Sequence, residues 1–243
     1  MTEQAAPRGG KSGGILGFLR DLLIILVVAF LISFLLKTFL IRSFYIPSGS
    51  MEQTLQINDR IMVNQLVPDL VAVERGDVVV FQDPGGWLQL PQSVNAANPT
   101  PVESLLQTVG LAADTSSDYV VKRVIGVGGD RVACCDAAGR VTVNGVPLDE
   151  PYIVIPDGQT RASAIDFDVT VPQGSVWVMG DNRYNSRDSR YNQDQPGKGF
   201  VANEEIVGRA FVLNWPLNHF SWLGNYPETF TGVEQARQSN AAD

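Results

Sequence analysis

The sequence predicts a mainly β fold: an N-terminal transmembrane helix followed by a β-rich domain. Three observations predict it. An apolar run lies near the N-terminus, short β-rich segments alternate with turn signals after it, and no long stretch beyond it shows helical periodicity.

Residues 1–14 are rich in glycine and charge and are expected to form a flexible cytoplasmic tail. Residues 22–36 then hold fifteen positions of which only Ser33 is polar. With their apolar flanks they predict a membrane anchor over 15–41, since roughly 20 helical residues cross a hydrocarbon core of roughly 30 Å. A cleaved export signal would end in small residues of the A-x-A kind, whereas this run continues into Lys37-Thr38-Phe39-Leu40-Ile41-Arg42, so the anchor is read as retained. Arg8, Lys11 and Arg20 stand against Glu3 on the N-terminal flank, which places that end in the cytoplasm and the rest of the chain outside, in the plasma membrane as a single-pass protein. Lys37 and Arg42 weaken this asymmetry, but a domain of about 200 residues translocates despite nearby charge.

Residues 42–215 read as the extracytoplasmic β-rich domain. Strands are expected at 59–64, 77–81, 119–127, 169–171, 175–179 and 206–213, and an Asn144-Gly145 step predicts a hairpin within 140–146. Residues 82–118 turn rich in Pro, Gly, Asn and Gln and are expected to be an insertion, with a short helix at 102–109. Residues 216–243 are expected to be a C-terminal tail.

Composition narrows the function. The 243 residues suffice for one large domain, and a net charge of −8 argues against a nucleic-acid surface, which needs clustered Lys and Arg. There is one histidine, His219, in an aromatic stretch where a packed or surface role is expected, and there are two cysteines, Cys134 and Cys135. The adjacent cysteines either bridge each other or pair with nothing. So few His and Cys cannot build a usual zinc site, and neither metal nor cofactor is expected. A histidine-based serine triad is equally hard to assemble.

Three segments carry chemistry. Pro47-Ser48-Gly49-Ser50-Met51 makes a tight loop that can present a hydroxyl and converging N–H groups. In Tyr119-Val120-Val121-Lys122-Arg123-Val124-Ile125, a lysine shares a strand face with Val120 and Val124. An amine there loses solvation, so its pKa falls and it can accept a proton near neutral pH; an edge lysine reaching solvent is the plain alternative. Met179-Gly180-Asp181-Asn182-Arg183-Tyr184-Asn185-Ser186-Arg187-Asp188-Ser189-Arg190 pairs charges densely behind a strand. Arg183 falls at a calcium-ligand position, so a hydrogen-bonded, partly buried shelf is expected rather than an EF-hand loop.

In this order, behind an N-terminal anchor, these segments resemble bacterial type I signal peptidase (leader peptidase), over roughly residues 22–212. The resemblance implies the antiparallel fold shared by signal peptidases and LexA-like repressors. It also implies a serine endopeptidase that removes signal peptides from secretory preproteins at small-residue sites. Ser50 would be the nucleophile and Lys122 the general base. The Ser48 hydroxyl and Ser50 N–H would form the oxyanion hole, and Ser186 would hydrogen-bond the Lys122 amine. Asp181, Asp188, Arg123 and Arg190 would hold the shelf together by ion pairs, and Met51 would pack beside the nucleophile. The implied partners are preproteins and the bilayer, with the chain acting as a monomer and no nucleic acid involved. The rival from another class is a non-catalytic membrane-tethered β-domain that binds a partner. It explains the anchor and strands but not a lysine in an apolar strand. A LexA-type repressor would carry a DNA-binding domain where this chain has an apolar run, and a penicillin-binding enzyme would show Ser-x-x-Lys, a tetrad missing from this sequence.

Overall fold

The computed structural model describes residues 15–88 and 119–240. The expected tail at 1–14 and most of the expected insertion, with its short helix, lie outside the described residues.

Helix α1 (Ile15–Phe39) is long and apolar enough to cross a membrane, and most of its described apolar side chains are exposed. It gives way almost at once to strand β1 (Ile41–Tyr45), whose Ile41 pairs with Asn64. The anchor was expected to reach residue 41, but Ile41 belongs to the sheet. Phe44 and Ile46 are buried and draw this stretch into the domain. No free stalk separates the helix from the domain.

The larger sheet also contains β2 (Arg60–Asn64), β3 (Val78–Gln82), β4 (Tyr119–Val127), β9 (Ser175–Met179), β10 (Val201–Ala202) and β11 (Ile206–Trp215), in the order β1-β2-β11-β3-β4-β9-β10. A smaller sheet runs β7-β6-β5-β8, from β5 (Arg131–Cys134), β6 (Val141–Val143), β7 (Val146–Pro147) and β8 (Phe167–Thr170). Every strand pairing is antiparallel. The fold is therefore mainly β, as predicted. The hairpin expected at Asn144-Gly145 joins β6 to β7, with both residues at positive φ, 54° and 84°.

Burial explains the layering. The uninterrupted apolar run of β3 marks a strand covered on both faces. Val78 and Val80 pack with Phe44, Met51 and Ile61, whereas Val79 and Phe81 pack with Val120, Val124 and Val178. A third cluster, including Ile125, Val132, Val143 and Trp177, locks the smaller sheet to the larger.

The C-terminal residues are not a loose tail. Strand β12 (Ser221–Trp222) pairs with β11, and helix α2 (Val233–Asn240) follows. Phe230 and Val233 join the third cluster, which is the apolar burial that holds this segment down. Cys134 and Cys135 are bonded to each other.

One feature of the topology positions the site. Strand β9 ends at Met179, opposite Arg123, while β4 runs on to Tyr119 with only β3 beside it. The gap beyond Met179, next to Lys122, is filled by the turn that carries Ser50.

Candidate active site

Ser50 sits in a single 3-10 turn (Gly49–Met51) whose three residues are buried. Met51 is 1% exposed and packs into the cluster with Phe44 and Ile61, so the serine rides on a side chain driven into the core. The Ser50 carbonyl accepts a hydrogen bond from Asn182 N–H at 3.1 Å, and Asn182 Nδ2 reaches Glu52 at 2.9 Å. These bonds staple the turn to the segment after β9. Gly180 is required at this crossing: a Cβ there would lie 2.5 Å from the Ser50 carbonyl oxygen and 2.2 Å from Ser186 Oγ.

Lys122 is 4% exposed. Its Nζ donates to Ser50 Oγ at 2.7 Å and to the Val121 carbonyl at 2.8 Å. Burial pulls its pKa from the ordinary 10.5 to about 8, overcoming Asp188 and Asp181, which favour the ammonium, with Arg190 assisting. The amine therefore gives up its proton far more readily than an ordinary lysine does. Ser48 Oγ lies 3.4 Å from Ser50 Oγ, on the exposed side of the turn.

The expected shelf forms beneath this pair. Arg123 grips Asp181 through two bonds, Nε to Oδ1 at 2.9 Å and Nη2 to Oδ2 at 2.7 Å, and both side chains are fully buried. Arg190 grips Asp188 in the same two-pronged way, at 2.8 and 2.7 Å, and Gly180 N–H donates to Asp188 at 2.9 Å. Burial works to raise the Asp188 carboxyl, but Arg190 and these hydrogen bonds outweigh it, and Asp188 titrates below its ordinary value. Such two-pronged pairs fix orientation as well as charge.

Ser186 departs from expectation. Its buried hydroxyl makes no hydrogen bond to Lys122 and lies instead beside Asp188, whose carboxylate it helps hold in the charged form. His219 pairs with Asp59 at 3.1 Å, so Ser50 meets a lysine and not the histidine.

Several residues of the site escaped the sequence reading. Thr54 donates to Asp181 at 2.5 Å and so ties the Ser50 turn to the shelf. Arg183, fully buried, is held by Glu150 at 2.8 and 2.5 Å and donates from Nε to the Gly180 carbonyl at 3.1 Å. One signal was available: Arg123, Arg183 and Arg190 share two assigned acids, and three buried cations call for a third. Nothing local marked Glu150 as that partner.

A model of the family described as signal peptidase, peptidase S26, matches residues 19–215, and the chain belongs to that family, a family of serine endopeptidases. Among its relatives, a probable signal peptidase I of Mycobacterium leprae is 36% identical, covering 83% of this chain and 78% of its own length. The signal peptidase I of Mycobacterium tuberculosis is 37% identical over 82% of this chain and 73% of its own, and a probable signal peptidase I-2 of Synechocystis is 38% identical over 79% and 71%. A crystal structure of a signal peptidase I from Enterococcus faecalis aligns over 56% of this chain and 95% of its own, at 25% identity and a TM-score of 0.35.

Proposed function

We propose that this chain is a membrane-tethered endopeptidase that removes N-terminal signal peptides from secreted preproteins, cutting after small residues, with Ser50 as nucleophile and Lys122 as general base. The carrying observation is the 2.7 Å contact between a buried amine and a buried hydroxyl, with no carboxylate bonded to that amine among the described residues. A lysine that serves only structure is solvated or ion-paired. This one is neither, so its proton is free to move.

In the reaction the neutral amine takes the Ser50 proton as Oγ bonds to the scissile carbonyl carbon. The carbonyl oxygen becomes an oxyanion, stabilised by the Ser48 hydroxyl and the Ser50 N–H, donors that matter only once charge develops. The Lys122 ammonium then passes its proton to the departing amine nitrogen as the C–N bond breaks. A water molecule, deprotonated by the same amine, attacks the acyl-enzyme and frees Ser50. The Ser186 hydroxyl, beside Asp188, would hydrogen-bond the Lys122 amine as the reaction proceeds and keep it aimed at Ser50. Asp181, Asp188, Arg123 and Arg190 hold the frame. The reading needs no metal, no cofactor and only one copy of the chain.

Helix α1 supplies the tether, with its N-terminus in the cytoplasm and the β domain outside. A signal peptide presents its cleavage site just after a membrane-buried apolar core, so a protease anchored in the same bilayer meets that bond where it emerges.

The test is to purify the full chain in detergent, add a secretory precursor, and compare it with Ser50→Ala and Lys122→Met. Loss of trimming in both, with the fold retained, is expected; full activity of Lys122→Met would refute the pairing. For orientation, external protease added to spheroplasts should digest the β domain, and complete protection would overturn the topology.

A further inference from the structure

The segment beyond the family match, after residue 215, reaches back to Arg123. The Arg123 Nη1 donates to the carbonyls of Gly76, at 2.7 Å, and of Gly224, at 3.3 Å. The guanidinium lies over the Tyr152 ring at 4.0 Å and near the Tyr226 ring at 5.2 Å, and the two rings pack on each other with centroids 4.9 Å apart. The approach is tight: Gly76 has φ +86°, and a Cβ on it would stand 1.7 Å from the Asn225 carbonyl oxygen. Tyr152 is 2% exposed and anchored by its hydroxyl, which donates to Glu150 at 3.0 Å. A buried guanidinium packed against two neighbouring aromatic rings, and bonded at its edge to one carboxylate, has very little freedom to move.

We propose that Tyr152 and Tyr226 are positioning residues for the reaction: their rings hold the Arg123 guanidinium against Asp181, and through it fix the Ser50 turn and the electrostatic setting of Lys122. The linkage is continuous on both branches. Asp181 accepts from Thr54, three residues after the Ser50 turn, and the next residue, Asn182, donates its N–H to the Ser50 carbonyl. Asp181 also favours the charged form of Lys122, and Arg123 is the cation that neutralises it. The other charged groups facing the amine are Asp188, which acts in the same sense, and Arg190, which opposes both. The Ser50 turn brings Glu52, which is bonded to Asn182, and β3 brings valines. Loosening Arg123 leaves Asp181 less compensated, so Lys122 would hold its proton to higher pH.

This proposal rests on the Ser50–Lys122 reading, and the experiment separates the two. The full chain in detergent is assayed on a precursor peptide across pH, as wild type, Tyr226→Phe, Tyr226→Leu, Arg123→Lys and Ser50→Ala. Tyr226→Phe keeps the ring and should match wild type. Tyr226→Leu should lower kcat about tenfold with KM little changed, because small displacements of reacting groups are costly. It should also shift the acid limb of the kcat/KM profile upward by about half a unit or more. Arg123→Lys, which keeps the charge but not the flat ion, should shift the limb the same way and serves if Tyr226→Leu does not fold. A folded Tyr226→Leu or Arg123→Lys with wild-type kcat and acid limb would overturn the proposal, even if its melting temperature fell. Activity surviving in Ser50→Ala would instead sink the nucleophile reading beneath it.

Discussion

Lys122 and Arg123 are consecutive residues of β4, both buried, and the protein treats their charges in opposite ways. Arg123 is given a bidentate carboxylate, two backbone carbonyls and two aromatic rings. Burial works to lower its pKa, yet these partners hold it above the ordinary value. Lys122 is given a hydroxyl and one carbonyl, and burial prevails. One position is an ion locked in place by its partners, and its neighbour is an amine whose charge burial disfavours, as the proposed general base requires. The difference lies in the partners and not in depth: desolvation acts on both, and only a matched anion offsets it.

The largest expected effect breaks the contrast at the lysine. Lys122→Met should lower kcat/KM by about 10,000-fold, read as loss of precursor trimming, because the serine loses its proton acceptor. Next comes the arginine. Arg123→Met strands Asp181 as a buried carboxylate and should cost about 3–5 kcal/mol in urea unfolding, whereas Lys122→Met removes no ion pair. A smaller effect sharpens the comparison further. The folded pKa of Lys122 is depressed to about 8 from 10.5, so between those values the unfolded chain binds more protons and stability rises with pH. Lys122→Met lacks this burden and should therefore be more stable than wild type at pH 7, by about 2–3 kcal/mol, with the advantage shrinking as pH climbs from 8 toward 10. Equal stability of the two proteins at pH 7 would mean that the buried amine bears no desolvation cost.

Local pattern made part of this legible in the sequence. Strands such as 119–127 and 175–179 show as β-rich runs closed by turn residues, and Asn144-Gly145 marks its own hairpin. Ser50, Lys122 and the two-armed ion pairs sit in short segments whose residue types are unusual where they stand. What was missed depends on long-range contact. Glu150 meets Arg183 across 33 residues, and Tyr226 reaches Arg123 across 103, so no window of neighbouring residues could pair them. The C-terminal segment read as a tail because its anchors, Phe230 and Val233, are too few to show a period. Strand β1 hid in the flank of the apolar run, where its alternation was overwhelmed by hydrophobicity.

That last strand has a mechanical consequence. Because α1 passes into β1 across Leu40 alone, and β1 is hydrogen-bonded along its length to β2, the chain offers no slack between helix and domain. The distance from the end of the helix to the Ser50 hydroxyl is then set by the stiffness of a sheet and not by the wandering of a leash. On the function proposed above, that fixed reach would set where along an emerging polypeptide the chain is cut, much as a fence on a saw bench sets the length of the offcut.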